Sequence, residues 1–469
     1  MKKNLLLSSI LGCMLFAAPA SADTLGFSTA VPVGEKLSLA LNQNVKTTIT
    51  WGDGSSEQVT FNGLEVELTV KHADFTVTTD NMITNVFCPD CSLTNIDLDN
   101  VPNLKSLICP DNQLTTLNLK NVPMLLELNC EGNELKSLSL SKCKNLESLN
   151  CAYNQLKSLP LAYQNKLQSL ICSGNMLTSV SVSSMKDLQM MWCQDNKLIS
   201  IGLNANSNIA QICAFNNALS ELRISGMDNL EELWVDNNKI ESLDLRTSPV
   251  KVLSASDNEL NLIQFDEELA AGMTDFYVDN NSLMINSFPD LYDKYDQDSL
   301  MNYNISNQRP YFVTDKINVN EKMALADVLR TNAVKSIVRP AVVWETVDGV
   351  ELVRNQDIKL GNYSYTFLKP FKAVRAIITT DHYKAETFYI ANVEVVDPTG
   401  IEDVNVQNEL GIVAKNGQIQ VTVADATRIQ IYNVSGVKLV DDVVSAGTNA
   451  WNLPAGLYVV NGKKVALTR

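Results

Sequence analysis

Histidine is nearly absent: only His72 and His382 occur among 469 residues. A chain with so few imidazoles is a poor candidate for general acid–base chemistry or for histidine-ligated metal centres. Basic residues are also short, 37 Lys and Arg against 53 Asp and Glu, for a net charge of −16. Neutralising a phosphate backbone needs the opposite balance, so nucleic acid is excluded as a partner. There is no glycine triplet and no sustained heptad, which removes collagen-like and coiled-coil readings. Beyond the N-terminal segment no apolar run is long enough to span a bilayer. With 45% apolar residues the chain is nevertheless too hydrophobic to be disordered, and its length suits about three domains.

The N-terminus has the layout of an export signal. Lys2 and Lys3 precede an apolar stretch from Leu5 to Ala18, and Ala20-Ser21-Ala22 offers small residues for cleavage, which places residues 1–22 in a signal peptide. Ile10-Leu11-Gly12-Cys13 loosely resembles a lipoprotein box, but the residues after Cys13 stay apolar through Phe16, as a continuing hydrophobic core does.

The dominant feature is a repeat. Leu104-x-x-Leu107-x-Cys109-x-x-Asn112-x-Leu114-x-x-Leu117-x-Leu119 returns with Cys130/Asn133, Cys151/Asn154, Cys172/Asn175 and Cys193/Asn196. Later copies replace the cysteine, as Ala214/Asn217, Val235/Asn238, Ala255/Asn258 and Val278/Asn281, and an opening copy carries Cys88 and Cys91 in the two slots. Ten copies thus run from about Ile83 to Asn286, mostly 21 residues apart, with one spacing of 20 and one of 23. One copy cannot bury its own leucines, so successive turns of chain must stack. Alternation around Leu-x-Cys predicts a strand with Leu and Cys inward, and stacking at about 4.8 Å per strand gives a parallel sheet ~45 Å long. The inward Asn is expected to satisfy backbone groups in the turn that no ladder reaches. Too few residues remain in each copy for a long return helix.

This phrase resembles the leucine-rich repeat, and its cysteine form is similar to the internalin-J type of bacterial surface protein. The resemblance implies a mainly β fold: a leucine-rich-repeat solenoid with a parallel sheet on its concave face.

Nine cysteines follow the signal segment, and in an exported protein disulfides would be the default. The repeat argues otherwise. Cys88, Cys109, Cys130, Cys151, Cys172 and Cys193 occupy equivalent inward positions, and parallel neighbours about 4.8 Å apart are too far for the usual Cβ separation of about 3.8 Å in a disulfide. A structural ladder of free thiols is expected, acting as small apolar residues. Cys88-Pro89-Asp90-Cys91 could be read as a redox or zinc pair, but no matching second pair exists, so it reads as a structural pair, bonded or not, and no metal or cofactor is expected.

The residue between Leu and Cys should face outward on the concave side. That column reads Ile108, Asn129, Asn150, Ile171, Trp192, Cys213, Trp234, Ser254 and Tyr277, with Phe215 diagonally adjacent to Cys213. From residue 201 to 286 there are 14 acids and 4 bases, and Glu232, Asp236, Asp275 and Asp279 should flank the aromatics. Aromatic rings ringed by carboxylates on a rigid sheet suit a protein or glycan ligand. The competing reading packs the rings on each other or on the following domain and leaves the acids as solvated surface.

The flanks read as β structure. Residues 23–81 alternate as in Lys46 to Trp51 and Leu64 to Val70, and form an expected β-type N-terminal cap for the repeats at 82–287. Trp51-Gly52-Asp53-Gly54 resembles a turn of polycystic-kidney-type β-sandwiches. Asp290, Asp293, Asp296 and Asp298 lack a calcium-loop glycine and read as a solvated connector. Residues 288–397 hold several short strands and resemble an immunoglobulin-like β-sandwich; Asp381-His382 there is no catalytic pair, because adjacent strand residues face opposite ways. A linker at 398–403 leads to residues 404–469. In that last segment Ile431-Tyr-Asn-Val-Ser-Gly436 and Leu453-Pro-Ala-Gly-Leu-Tyr-Val-Val-Asn-Gly462 resemble the C-terminal sorting domain of type IX secretion, which implies a Gram-negative bacterium and delivery across its outer membrane.

Together these features point away from an enzyme and towards a secreted, outer-membrane-associated cell-surface adhesin. Its expected partners are a host-cell surface protein or glycan, or other bacterial cells, with the type IX machinery engaging the C-terminal domain. The internalin resemblance implies roles in attachment, invasion, virulence or biofilm formation. A structural or glycan-capturing element of the bacterial surface layer is the alternative.

Overall fold

The structure, a computed structural model, describes residues 22–42, 44–203, 208–288, 302–329, 340–380, 387–397, 411–415, 417–433, 437–461 and 463–467. The expected signal segment with Cys13, the acidic run Asp290 to Asp298, the Asp381-His382 pair and the linker lie outside the described residues. So do Val434 to Gly436 and Gly462 of the two C-terminal motifs. The chain divides into two compact units, Met1–Asp397 and Pro398–Arg469.

The first unit opens with the cap. Its alternating sequence builds a five-stranded sheet in the order Ser56–Phe61, Val45–Trp51, Asp74–Thr79, Asp23–Thr29, Leu93–Asn100. The inward positions Phe27, Trp51 and Phe75 cluster, with ring centroids of Phe27 and Trp51 each 5.0 Å from Phe75. Two features join this cap to the repeats. Leu93–Asn100, the return segment of the opening copy, pairs with Asp23–Thr29, and Lys36–Leu41 pairs antiparallel with Asn85–Phe87 at the end of the long sheet.

From Asn85–Phe87 onward each copy contributes one short strand, and neighbours are parallel in unbroken register. Leu107, Leu128, Leu149, Leu170, Met191, Ile212, Leu233, Leu253 and Phe276 lie side by side and are buried. After the strand the chain must turn sharply. The residue before each inward Asn adopts the left-handed region, as at Asp111 (φ 54°), Gly132 (65°), Gly174 (63°), Asp195 (56°), Asn216 (55°) and Asn237 (53°). That explains the preference for Gly, Asn and Asp in this slot. The Asn side chain then links two copies. Asn154 Nδ2 donates to the Cys130 carbonyl at 2.9 Å and the Cys151 carbonyl at 3.3 Å, while its Oδ1 accepts from the Leu135 N–H at 2.9 Å. Asn133, Asn175 and Asn238 repeat the pattern. The return side is turns with short parallel pairs, such as Ser179–Ser181 with Ser200–Gly202 and Ser242–Leu245 with Leu262–Phe265.

The sheet extends one strand beyond the repeats read from the sequence. Asn302–Asn304 pairs in parallel with Asp275–Tyr277, so the stretch at residues 302–308 belongs to the solenoid rather than to the sandwich expected from 288. Gln308 fills the Asn slot: its Oε1 accepts from the Leu283 N–H at 2.8 Å, and its Nε2 donates to the Val278 carbonyl at 2.9 Å. A longer amide does the same work, at a spacing of 27 residues from Asn281 that hides the copy.

The first unit ends in two facing sheets. One is ordered Lys316–Asn318, Phe388–Val396, Phe371–Thr379, Ala341–Thr346; the other Lys322–Ala324, Ser364–Phe367, Ile358–Gly361. Trp344 of the first packs on Tyr365 and Phe367 of the second, at 5.5 and 5.0 Å. Phe288 bridges from Phe276 of the solenoid (6.3 Å) to Phe388 of the sandwich (5.6 Å), so one apolar core runs from cap to sandwich. The second unit holds sheets of three and four strands around Ile419, Val421, Ile429, Ile431, Tyr458 and Val460.

Candidate functional site: the outward face of the parallel sheet

Because side chains alternate along a strand, each short strand shows one residue outward at its centre slot and another two positions on each side. In the centre column Trp192, Cys213, Trp234, Ser254, Tyr277 and Asn304 are consecutive register partners. The aromatics therefore alternate with small or polar residues along the sheet. Trp192 is 36% exposed, and Trp234, Tyr277 and Phe215 are half-buried. Among the described residues no ring contact joins any of these four to another aromatic side chain; the aromatic pairs lie in the cap, at the junction with the sandwich and inside the sandwich. Cys213 departs from the expectation for its column. It is only 8% exposed, because its short side chain lies between the strands that carry Trp192 and Trp234.

The acids stand on the same strands. Glu232 and Asp236 bracket Trp234, and Asp275 and Asp279 bracket Tyr277. The strand between them supplies hydroxyls: Ser254 Oγ donates to Asp236 Oδ1 at 2.7 Å, the Ser256 N–H to the same oxygen at 2.8 Å, and Ser256 Oγ to Asp279 Oδ1 at 2.5 Å. Asp275 accepts from Asn302 Nδ2 at 2.9 Å and from Thr274 Oγ1 at 2.8 Å. Burial pushes the Asp236 carboxyl above its ordinary value; the Ser254 and Ser256 hydrogen bonds oppose that rise, and Asp279 adds to it. Sequence reasoning missed Ser254 and Ser256 as functional partners, and it missed Gln194, whose Oε1 is buried without a hydrogen bond. Their only sequence signal is their place in the outward columns.

The other half of this face sets Asn129 and Asn150 between Ile108 and Ile171 in its centre column, and its polar groups satisfy one another. Glu131 accepts from Asn150 Nδ2 at 2.7 Å, Glu127 accepts from Ser106 Oγ at 2.8 Å, and Asn129 Oδ1 accepts from the Glu131 N–H at 3.0 Å.

Behind the face, Cys88, Cys109, Cys130, Cys151, Cys172 and Cys193 are free and at most 1% exposed. Burial raises every one of their pKa values, to about 12 at Cys130 and Cys172. Cys91 Sγ donates to the Ser38 carbonyl at 2.8 Å, bracing the cap junction, and is not bonded to Cys88. In the cap, His72 Nδ1 accepts from the Asp74 N–H at 3.1 Å. Among the described residues no cluster of His, Cys, Asp and Glu could hold a metal ion. No described helix is long and apolar enough to cross a membrane.

One parallel strand per copy, leucines stacked in register and an asparagine ladder in the turns together settle the architecture. The fold is a leucine-rich-repeat solenoid. No family model matches this chain, and no curated protein does. The solved structures similar to it include the functional domain of InlJ from Listeria monocytogenes, described as including a cysteine ladder, at 14% identity over 70% of this chain and 94% of that one, TM-score 0.32. YopM from Yersinia enterocolitica is 23% identical over 44% of this chain and 51% of its own, TM-score 0.34. YopM from Yersinia pestis is 23% identical over 44% and 63%, TM-score 0.36. The matched region spans about half the length of the first YopM chain. In this chain the outward column changes from copy to copy, from Asn129 and Asn150 to Trp192 and Trp234, while the inward leucine and cysteine slots stay apolar and buried.

Proposed function

We propose that this protein is an exported cell-surface adhesin that binds a host protein, another cell or a glycan through the outward face of its leucine-rich repeats. One observation carries the reading: Trp192, exposed, and Trp234 and Tyr277, half-buried, stand in one column of a rigid sheet, and none of them has an aromatic partner among the described residues. Tryptophan and tyrosine there provide large contact areas with little conformational freedom to lose. Export rests on the basic–apolar–small pattern of residues 1–22, and surface delivery on the two type IX-like motifs in the C-terminal unit.

The test is a Trp192→Ala/Trp234→Ala variant. It is expected to lower binding to host cells by tenfold or more, on the order of two weak hot spots, while its melting temperature stays within about 2 °C of the parent, because both rings point away from the core. An unchanged adhesion titration removes this face from consideration. Binding to purified bacterial-surface glycans in place of host cells would favour the surface-layer role.

A further inference from the structure

The spacing of large and small residues on the face builds a slot of defined size and charge. Trp234 and Tyr277 stand on strands that are both neighbours of the strand Val252–Ser254, so Ser254 lies between the two rings. Two strand spacings separate the walls by about 9.6 Å. A group centred above Ser254 is then one strand spacing, about 5 Å, from the strand that carries each ring, on the scale of the ~6 Å reach of a cation–π contact. Each wall carries an acid on both sides of its ring, so Glu232, Asp236, Asp275 and Asp279 mark the four corners.

No cation of the solenoid fills this frame. Of the four bases between residues 201 and 286, Arg223 pairs with Glu221, Arg246 with Asp244 and Lys251 with Glu231, while the exposed Lys239 forms no ion pair, so among the described residues none is bridged to a corner acid. Three of the corner acids, Asp236, Asp275 and Asp279, are held by hydroxyl, amide and backbone N–H donors that orient them without neutralising them. The slot bounded by Trp192 and Trp234 is different. Its floor is the buried Cys213, and its far wall is bracketed by Met190 and Gln194 rather than by acids.

We infer that the Trp234–Tyr277 slot receives a lysine or arginine side chain from a basic, extended segment of a protein partner. This rests on the binding face proposed above and names the chemistry of its partner. A neutral sugar would stack on the same rings but leave four carboxylates uncompensated, and an acidic glycan would be repelled.

Octa-arginine and octa-lysine peptides, with a neutral chitin hexasaccharide beside them, can be titrated onto the full chain and followed by tryptophan fluorescence. The two peptides decide between the guanidinium and the ammonium. At least one is expected to bind, with an affinity that falls steeply between low and physiological salt. Tyr277→Ser, and separately Glu232→Gln/Asp275→Asn, should each weaken that binding about tenfold. Glu241→Gln/Glu259→Gln removes the same charge from exposed positions elsewhere and should change it less than about twofold. Equal losses in the two acid pairs would reduce the effect to net charge and overturn the slot. Failure of both peptides, or slot-dependent binding of the hexasaccharide alone, would overturn it as well. The adhesion titration of the double tryptophan variant is read separately: adhesion lost without slot-dependent peptide binding refutes only the cationic occupant, and the reverse result refutes only the adhesin.

Discussion

Asp236 illustrates at the residue scale how a group of the proposed recognition face can weaken the fold that carries it. Its carboxylate is partly buried, accepts from Ser254 and Ser256, faces Asp279 and lies near the Cys213 thiol, and among the described residues no cation pairs with it. A carboxyl whose pKa rises on folding stabilises the native state most when protonated. That contribution is fully present below the ordinary value of 3.8 and is lost as pH climbs through the raised folded value. At neutral pH the ionised group is therefore unfavourable, a pattern expected where function competes with stability. Asp236→Asn keeps an oxygen for both serine donors and removes the charge. Its melting temperature is expected to exceed that of the parent at pH 7, with the gain shrinking as the pH is lowered towards 3.8, in thermal melts across that range. A lower melting temperature at pH 7 would mean that the ionised carboxylate holds the serine network together.

At the scale of the repeated element, the cysteines act through packing. With pKa values pushed to about 12 at Cys130 and Cys172, about one thiol in ten thousand is ionised at pH 8, and almost none of its surface is reachable. The native protein should therefore leave its ladder thiols unmodified by a thiol reagent over hours, and denaturant should release all of them together. Rapid labelling of several ladder positions under native conditions would contradict a closed interior. This ladder was legible in the sequence because one residue type recurs in one slot, and a slot repeated ten times fixes which way it faces. The copy ending at Gln308 was not legible, since both its spacing and its amide depart from the pattern. Nor was the burial of Cys213 or the serine bracing of Asp236. Each depends on side chains that come from a different copy, and a pattern read along one strand does not show what the neighbouring strand sets beside it.

For the first unit as a whole, the continuous core makes the two ends of the solenoid unequal supports. At one end the cap covers Ile83, Val86, Cys88, Leu93 and Leu98, all at most 1% exposed, and contributes strands to both sides of the opening copy. Uncovering the four aliphatic side chains among them costs about 1.5–3 kcal/mol each, comparable in sum with the whole stability of an ordinary domain. At the other end Phe288 ties Phe276, one strand from the end of the sheet, to Phe388 of the sandwich. Each copy touches only its neighbours, so damage at one end is felt first by the copies next to it and fades along the stack. A chain lacking residues 23–81 is thus expected to lose amide protection from about residue 83 to 130 in hydrogen-exchange measurements, while residues 230–280 stay protected. The slot between Trp234 and Tyr277 would then survive without the cap, and peptide binding with it. Uniform loss of protection along all the repeats would instead mean that the solenoid unfolds as a single cooperative block, with its recognition face dependent on a cap many copies away.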